Sequence, residues 1–180
     1  MQAAFDLSSI RAIIGLGNPG KKFERTRHNI GFRALDYLCQ QYGGSWHAVN
    51  NMEHATIVLY DGAPQVHLIK PQTFMNNSGQ VLPFLQKKGI KPDQIVVIHD
   101  ELEKKFGDVS VKFGGSAKGH NGLRSIIGMV GQEFWRVRCG IGRPTSAEEV
   151  GDFVLAPFTL EQERDIAGIL DKVSQLLTKK

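Results

Sequence analysis

Apolar residues along this chain follow two rhythms. Short runs, unbroken or alternating, occur in RAIIGLG (11–17), ATIVLY (55–60), VHLIK (66–70), QIVVIHD (94–100), VSVKF (109–113) and RVRCGIG (136–142). Runs of that length, rich in Val and Ile and closed by Gly or by charge, predict strands. The second and third flank Asp61-Gly62-Ala63-Pro64, which marks a hairpin. Between these runs the apolar spacing changes to three and four. Phe32, Leu35, Leu38 and Tyr42 predict a helix over 29–42 that Gly43-Gly44 stops, and Val81, Phe84 and Leu85 predict one over 78–88, with Pro83 near its start. Leu123, Ile126 and Ile127 predict a helix over 121–129. A last helix opens on a capping box at Thr159 and Gln162 and carries Ile166, Ile169, Leu170, Val173 and Leu177 on one face. Strands alternating with helices around a hairpin predict an α/β fold: a three-layer α/β/α arrangement on a mixed, mostly parallel sheet. Residues 1–180 read as one domain, with GGSAKG (114–119) as its flexible loop.

Composition adds bounds. With 180 residues and 41% hydrophobic content the chain has enough material for one substantial core. No apolar run approaches the roughly 20 residues that cross a bilayer. The start MQAAFDLSSI has no basic region leading into an apolar stretch, so no secretory signal is expected and the cytoplasm is the expected address. Cys39 and Cys139 are far apart among apolar neighbours and read as buried free thiols. A net charge of +4 is compatible with a polyanionic partner without requiring one.

The segment IIGLGNPGKKFERTRHNIGF (13–32) contains the pattern G-x-G-x-x-G at Gly15, Gly17 and Gly20. A dinucleotide site needs the third glycine in the first turn of a helix, and an acidic residue about 20 positions later at a strand end. Here Pro19 precedes Gly20, the polar KKFERTR follows, and Asp36 falls inside the predicted helix, so the context opposes a nucleotide-dependent oxidoreductase. The alternative is a turn that presents Asn18 beyond the first strand, at the edge where ligands of open α/β sheets bind. Asp100, closing QIVVIHD, reaches the same edge, and His28 lies nearby. A carboxylate there can hold an imidazole in one tautomer. None of the six histidines has metal-ligand spacing, so no metal is expected, and there is no G-x-S-x-G elbow. Hydrolysis would then need His28 to activate water directly. Asn18, Asn76 and Asn121 fit helix caps and equally fit a polar amide rim.

GLGNPG, TRHNIG, PQTFMNNSG, HDEL, GGSAKGHNGLRSI and RVRCGIGRP, in this order over residues 11–158, closely resemble the motif series of bacterial-type peptidyl-tRNA hydrolases. The resemblance implies hydrolysis of the ester between a peptide and the 3′ ribose of tRNA. It implies His28 as general base on water, Asp100 as the carboxylate that orients it, and Asn76 as the amide for water and oxyanion. It further implies Asn18 and Asn121 as holders of peptide and 3′ end, and Met75 as an apolar wall. Phe23 stands where the family often has tyrosine, and Asn77 where it is usually apolar. Lys112 and Arg138 match basic positions associated with tRNA phosphates; Lys118, within SAK, adds a base where the loop is often richer in glycine. The end of the chain after Thr178 is shorter than in many members. No cofactor, metal, membrane or obligatory protein partner is implied, and a monomer is expected. A non-catalytic RNA-binding protein on the same fold is the alternative.

Overall fold

The computed structural model describes residues 4–145 and 149–178. Met1–Ala3, where MQAAFDLSSI begins, and Lys179–Lys180, the segment after Thr178, lie outside the described residues. The strands are β1 (Ala12–Gly15), β2 (His47–Val49), β3 (Met52–Val58), β4 (Gln65–Pro71), β5 (Ile95–Glu101), β6 (Val109–Phe113) and β7 (Trp135–Gly140). The α-helices are α1 (Ile30–Gln41), α2 (Leu82–Lys87), α3 (Asn121–Val130), α4 (Val150–Leu155) and α5 (Leu160–Leu176).

The strands form one sheet in the order β2-β3-β4-β1-β5-β7-β6. Its centre, β4-β1-β5-β7, is parallel, while β2, β3 and β6 attach antiparallel at the two edges. The sheet is therefore mixed, as expected, with its parallel part at the middle. Every residue of β5 is buried, which explains its nearly uninterrupted apolar run. One face packs Ile30, Leu35 and Leu38 of α1 and Ile166, Ile169 and Val173 of α5 against Val96, Ile98 and Val137. The other face packs Leu82 and Leu85 of α2 and Leu123 and Ile126 of α3 against Ile14, Ile69 and Val97.

Two short elements were not expected. β2 is a three-residue edge strand and α4 a six-residue helix, both too short for periodicity to mark them. The helix expected over 78–88 is split. A 3₁₀ segment, Met75–Val81, precedes α2, with Asn77 outside helical geometry and Pro83 in the first turn of the α-helix. The capping box is present: Thr159 Oγ1 accepts from Gln162 N–H at 3.1 Å, and Gln162 Oε1 accepts from Thr159 N–H at 3.1 Å.

The glycine pattern serves packing. A Cβ on Gly31 would lie 2.5 Å from the Ile98 carbonyl oxygen and 2.6 Å from that of Leu16. A Cβ on Gly17 would lie 2.6 Å from the Phe32 ring, and one on Gly15 would collide with Gly31 itself. The backbone of α1 thus rests directly on β1 and β5, and it carries His28 to the edge of the sheet where Asp100 ends. Only Gly20, at φ 106°, is needed for the turn. Asp36, the residue a dinucleotide reading would need, instead accepts from Lys70 Nζ at 2.6 Å. Gly31→Ala should destabilise the protein by about 1–3 kcal/mol, the ordinary overpacking cost. A thermal melt checks this; an unchanged Tm would show that α1 can move off the sheet freely.

Candidate active site

The turn Arg27–Asn29 places the first functional residue. It is locked from behind by the far end of the chain. Arg27 N–H donates to Ala156 O at 3.1 Å, Arg27 Nη1 donates to Phe153 O at 3.1 Å, and Thr26 bridges to Pro157. The Arg27 guanidinium also lies 4.2 Å from the Phe153 ring centroid. With Arg27 turned inward, His28 faces the end of β5.

His28 Nδ1 lies 2.9 and 3.0 Å from the two carboxylate oxygens of Asp100. Burial pushes the Asp100 carboxyl upward, but the facing His28 and His120 outweigh it and hold it well below its ordinary 3.8. Asp100 is therefore an acceptor, Nδ1 of His28 carries the proton, and Nε2 keeps its lone pair. Burial also works against a charged His28; the Asp100 charge and hydrogen bond outweigh that, and its pKa sits above the usual 6.5.

Asp100 meets a second ring that the sequence reading did not single out. His120 Nε2 lies 2.9 Å from Asp100 Oδ1. His120 Nδ1 accepts from the backbone N–H groups of Gly122 and Leu123 at 3.2 and 3.4 Å, making this ring the N-cap of α3. Two amide donors on Nδ1 place the His120 proton on Nε2, so this ring also donates to Asp100. A third imidazole, His99, donates from Nδ1 to the Asp100 carbonyl at 2.7 Å; burial and the neighbouring His120 push its pKa down to about 3. Ligand atoms of His28, Asp100 and His120 lie within 4.8 Å of one another, close enough for a cation. Coordination by His120 Nε2 would require its proton and the α3 cap to be given up. The donor set favours hydrogen bonds over a metal. The only textual signal for His120 was its position before Asn121 at a predicted helix start.

The asparagines divide. Asn18 is buried, and its Oδ1 accepts from Met75 N–H at 2.8 Å. Its backbone is held by Asn29, whose side chain accepts from Asn18 N–H and donates to Asn18 O, both at 2.9 Å. Asn18 therefore ties the GNPG turn to the FMN turn, with its Nδ2 group left over for a ligand; Asn29 is a buried brace that sequence reasoning passed over. Asn76 and Asn121 are exposed. Met75 is 5% exposed and belongs to the core beneath α3, where a Cβ on Gly122 would touch its sulfur. Phe23 makes an edge contact with Phe74 at 6.5 Å, and Phe74 is 60% exposed.

His28, Asp100, Lys112, Lys118, Asn121 and Arg138 line a single cleft of about 300 Å³, together with His99, His120, Glu101 and Arg136. Asn18, Phe23, Met75 and Asn76 are not on its wall. Arg138 Nε donates to Glu101 Oε2 at 2.8 Å. Arg136 bonds Ser116 O at 2.7 Å and also Gly115 O, so it anchors the 114–119 loop. Lys118 on that loop adopts a left-handed conformation, φ 46°.

Residues 12–179 match the family model described as peptidyl-tRNA hydrolase. The chain is 43% identical to the peptidyl-tRNA hydrolase of Hydrogenobaculum sp. over 169 residues, covering 92% of this chain and 88% of that one. It is 39% identical to the Aquifex aeolicus protein of the same name, covering 94% and 89%. The crystal structure of peptidyl-tRNA hydrolase from Acinetobacter baumannii superposes with a TM-score of 0.88 at 36% identity, covering 97% of this chain and 89% of that one. A family model over almost the whole chain and relatives at 43% and 39% identity settle the family: the chain belongs to the peptidyl-tRNA hydrolase family.

Proposed function

We infer that this chain hydrolyses the ester joining a peptide to the 3′ ribose of tRNA, with His28 as its general base. The observation that carries this reading is the His28–Asp100 pair, whose Nδ1 side is occupied and whose Nε2 side is left for water. Nε2 takes a proton from water as the water oxygen bonds to the ester carbonyl carbon. The resulting oxyanion is met by amide N–H donors, for which exposed Asn76 and the Nδ2 of Asn18 are the candidates. Collapse breaks the bond to the ribose 3′ oxygen, which leaves with the proton returned by His28. An ester needs no covalent enzyme intermediate for this. Asp100 holds the tautomer and stabilises the imidazolium.

The remaining assignments follow the chemistry of the surfaces. Lys112, Lys118 and Arg138 meet tRNA phosphates, which position the substrate without reading its sequence. Asn121 at the mouth of the cleft holds the 3′ end. Phe23 and the exposed Phe74 form the apolar side for the peptide, with Met75 backing it from the core. Phe23 offers packing but no hydroxyl contact. The buried free thiols Cys39 and Cys139, the latter pushed by burial to about 12, suit a reducing cytoplasm. In the same reading the whole chain, 1–180, acts as one domain and as a monomer. Among the described residues no helix is long and apolar enough to cross a membrane. A non-catalytic RNA-binding protein would have no use for the buried dyad, which favours the hydrolytic reading.

Release of N-acetyl-aminoacyl groups from tRNA tests this. His28→Ala should lower kcat by about a hundredfold to ten-thousandfold, the usual worth of a general base, with tRNA affinity retained. Wild-type turnover in that variant would remove His28 from the reaction. Because the base works only when neutral and its pKa is raised, kcat/KM should climb with pH through a limb above 6.5. In Asp100→Asn the supporting charge is gone, so the maximum should fall and the limb should move to lower pH; a limb that stays in place would mean another group titrates. For tRNA binding, Lys112→Ala and Arg138→Ala should each flatten the logarithmic salt dependence by about one phosphate contact. Unchanged slopes in both would place the acceptor stem elsewhere.

A further inference from the structure

His120 performs two tasks with one ring. Its Nδ1 caps α3 through the amides of Gly122 and Leu123, and its Nε2–H reaches Asp100 Oδ1, the same oxygen that lies 2.9 Å from His28 Nδ1. The two rings stand 4.8 Å apart, tilted by 44°. A capping role alone would be filled by Asn, Ser or Asp. An imidazole is longer and bears a donor on the far side of the ring from the acceptor, and here both ends are used.

We propose that His120 is a positioning residue for hydrolysis: it clamps Asp100 against His28 and divides the carboxylate between two imidazoles, which limits how strongly Asp100 favours protonation of the base. The proposal rests on the hydrolytic reading of the site. The clamp fixes the carboxylate in one rotamer, so that an oxygen stays on His28 Nδ1 through the cycle. It also consumes part of the negative potential that would otherwise fall on His28 alone, in a buried site where such competition is strong. The other titratable or charged groups around this cluster are His99, whose ring lies 5.2 Å from that of His120, and Glu101 on β5, Glu103 just after β5, Lys112 on β6, Arg136, Arg138 and Cys139 on β7, the last beside Asp100, and Lys118 on the adjoining loop. Among the described residues, His99 is the one of these whose side chain hydrogen-bonds Asp100, and it does so at the backbone carbonyl. His120 therefore stands alone among them as a second donor to the carboxylate.

The arrangement has a consequence for substrate binding. Asn121 follows His120 directly, and the 114–119 loop precedes it. Displacement of this segment by a bound 3′ end would be felt at Asp100 through the Nε2–H bond, so the clamp links occupancy of the cleft to the orientation of the base.

His120→Asn separates the two tasks, because asparagine caps a helix well but is too short to reach Asp100 at the same time. The variant should melt near wild type. Its kcat on N-acetyl-aminoacyl-tRNA should fall roughly tenfold with KM little changed, in the range seen when the group that orients a reacting ligand is removed. The acid limb of kcat/KM should move up by about half a unit or more, opposite to the Asp100→Asn shift, since His28 would then hold its proton more firmly. A purely capping role predicts wild-type kcat and limb in His120→Asn and would overturn the proposal. Nitrogen-15 NMR of the imidazoles in the substrate-free protein gives a second reading. It should show His120 protonated at Nε2, and a His28 titration that rises in His120→Asn; a His120 proton on Nδ1 would equally overturn the clamp. If wild type released no peptide, the hydrolytic reading would fail, while the NMR titration would still decide whether His120 controls His28.

Discussion

A carboxylate whose side chain is 2% exposed is tolerated only where donors surround it. Asp100 is that carboxylate, and its neighbours are histidines. His28 comes from the turn before α1 and His120 from the start of α3, while His99 on β5 holds the Asp100 carbonyl. Since α1 and α3 pack on opposite faces of the sheet, one buried charge ties both outer layers to the end of the central strand. The same bonds settle the tautomers: Nδ1 of His28 is a donor, Nε2 of His120 is a donor, and Nε2 of His28 keeps its lone pair.

That geometry depends on the close approach of α1. Without side chains at Gly15 and Gly31 the helix backbone lies on the strand backbone, and the turn before it is fastened by Arg27 to the carbonyls of the 153–156 segment. A glycine pattern that looks like a phosphate cradle is here a device for bringing a helix within reach of a strand end. The polar braces act in the same sense. Asn29 fixes the backbone of Asn18, and Asn18 fixes the FMN turn at the Met75 N–H, next to the exposed Asn76.

The cations of the cleft are organised differently from one another. Arg138 is paired with Glu101, Arg136 is spent on the 114–119 loop, and Lys112 and Lys118 stand on a strand and on that loop. A phosphate approaching this wall meets an arginine already oriented by a carboxylate, which costs less side-chain ordering than a free one. Net charge alone could not have distinguished these situations.

Much of this was legible in the chain. The runs that became β1, β4, β5 and β7 were visible because these central, parallel strands are largely buried and need apolar residues, and edge strand β6 was visible from the alternation in VSVKF. The helices α1, α3 and α5 were visible because one face of each meets the sheet, and Asp100 at a strand end and His28 in the loop before α1 could be brought to one edge from that order alone. β2, α4 and the 3₁₀ segment before α2 were not legible, since each is too short for a period and is held by its neighbours. The second donor on Asp100 was hidden for a related reason: His120 is separated from Asp100 by 20 residues, and only the loop fold between them makes the contact. Sequence by itself determined which residue types are available and which strand or helix carries them, because burial and periodicity are local properties. Tertiary structure decided which nitrogen holds each proton and which cation is already paired, because those depend on distances of about 3 Å between parts of the chain that no spacing relates.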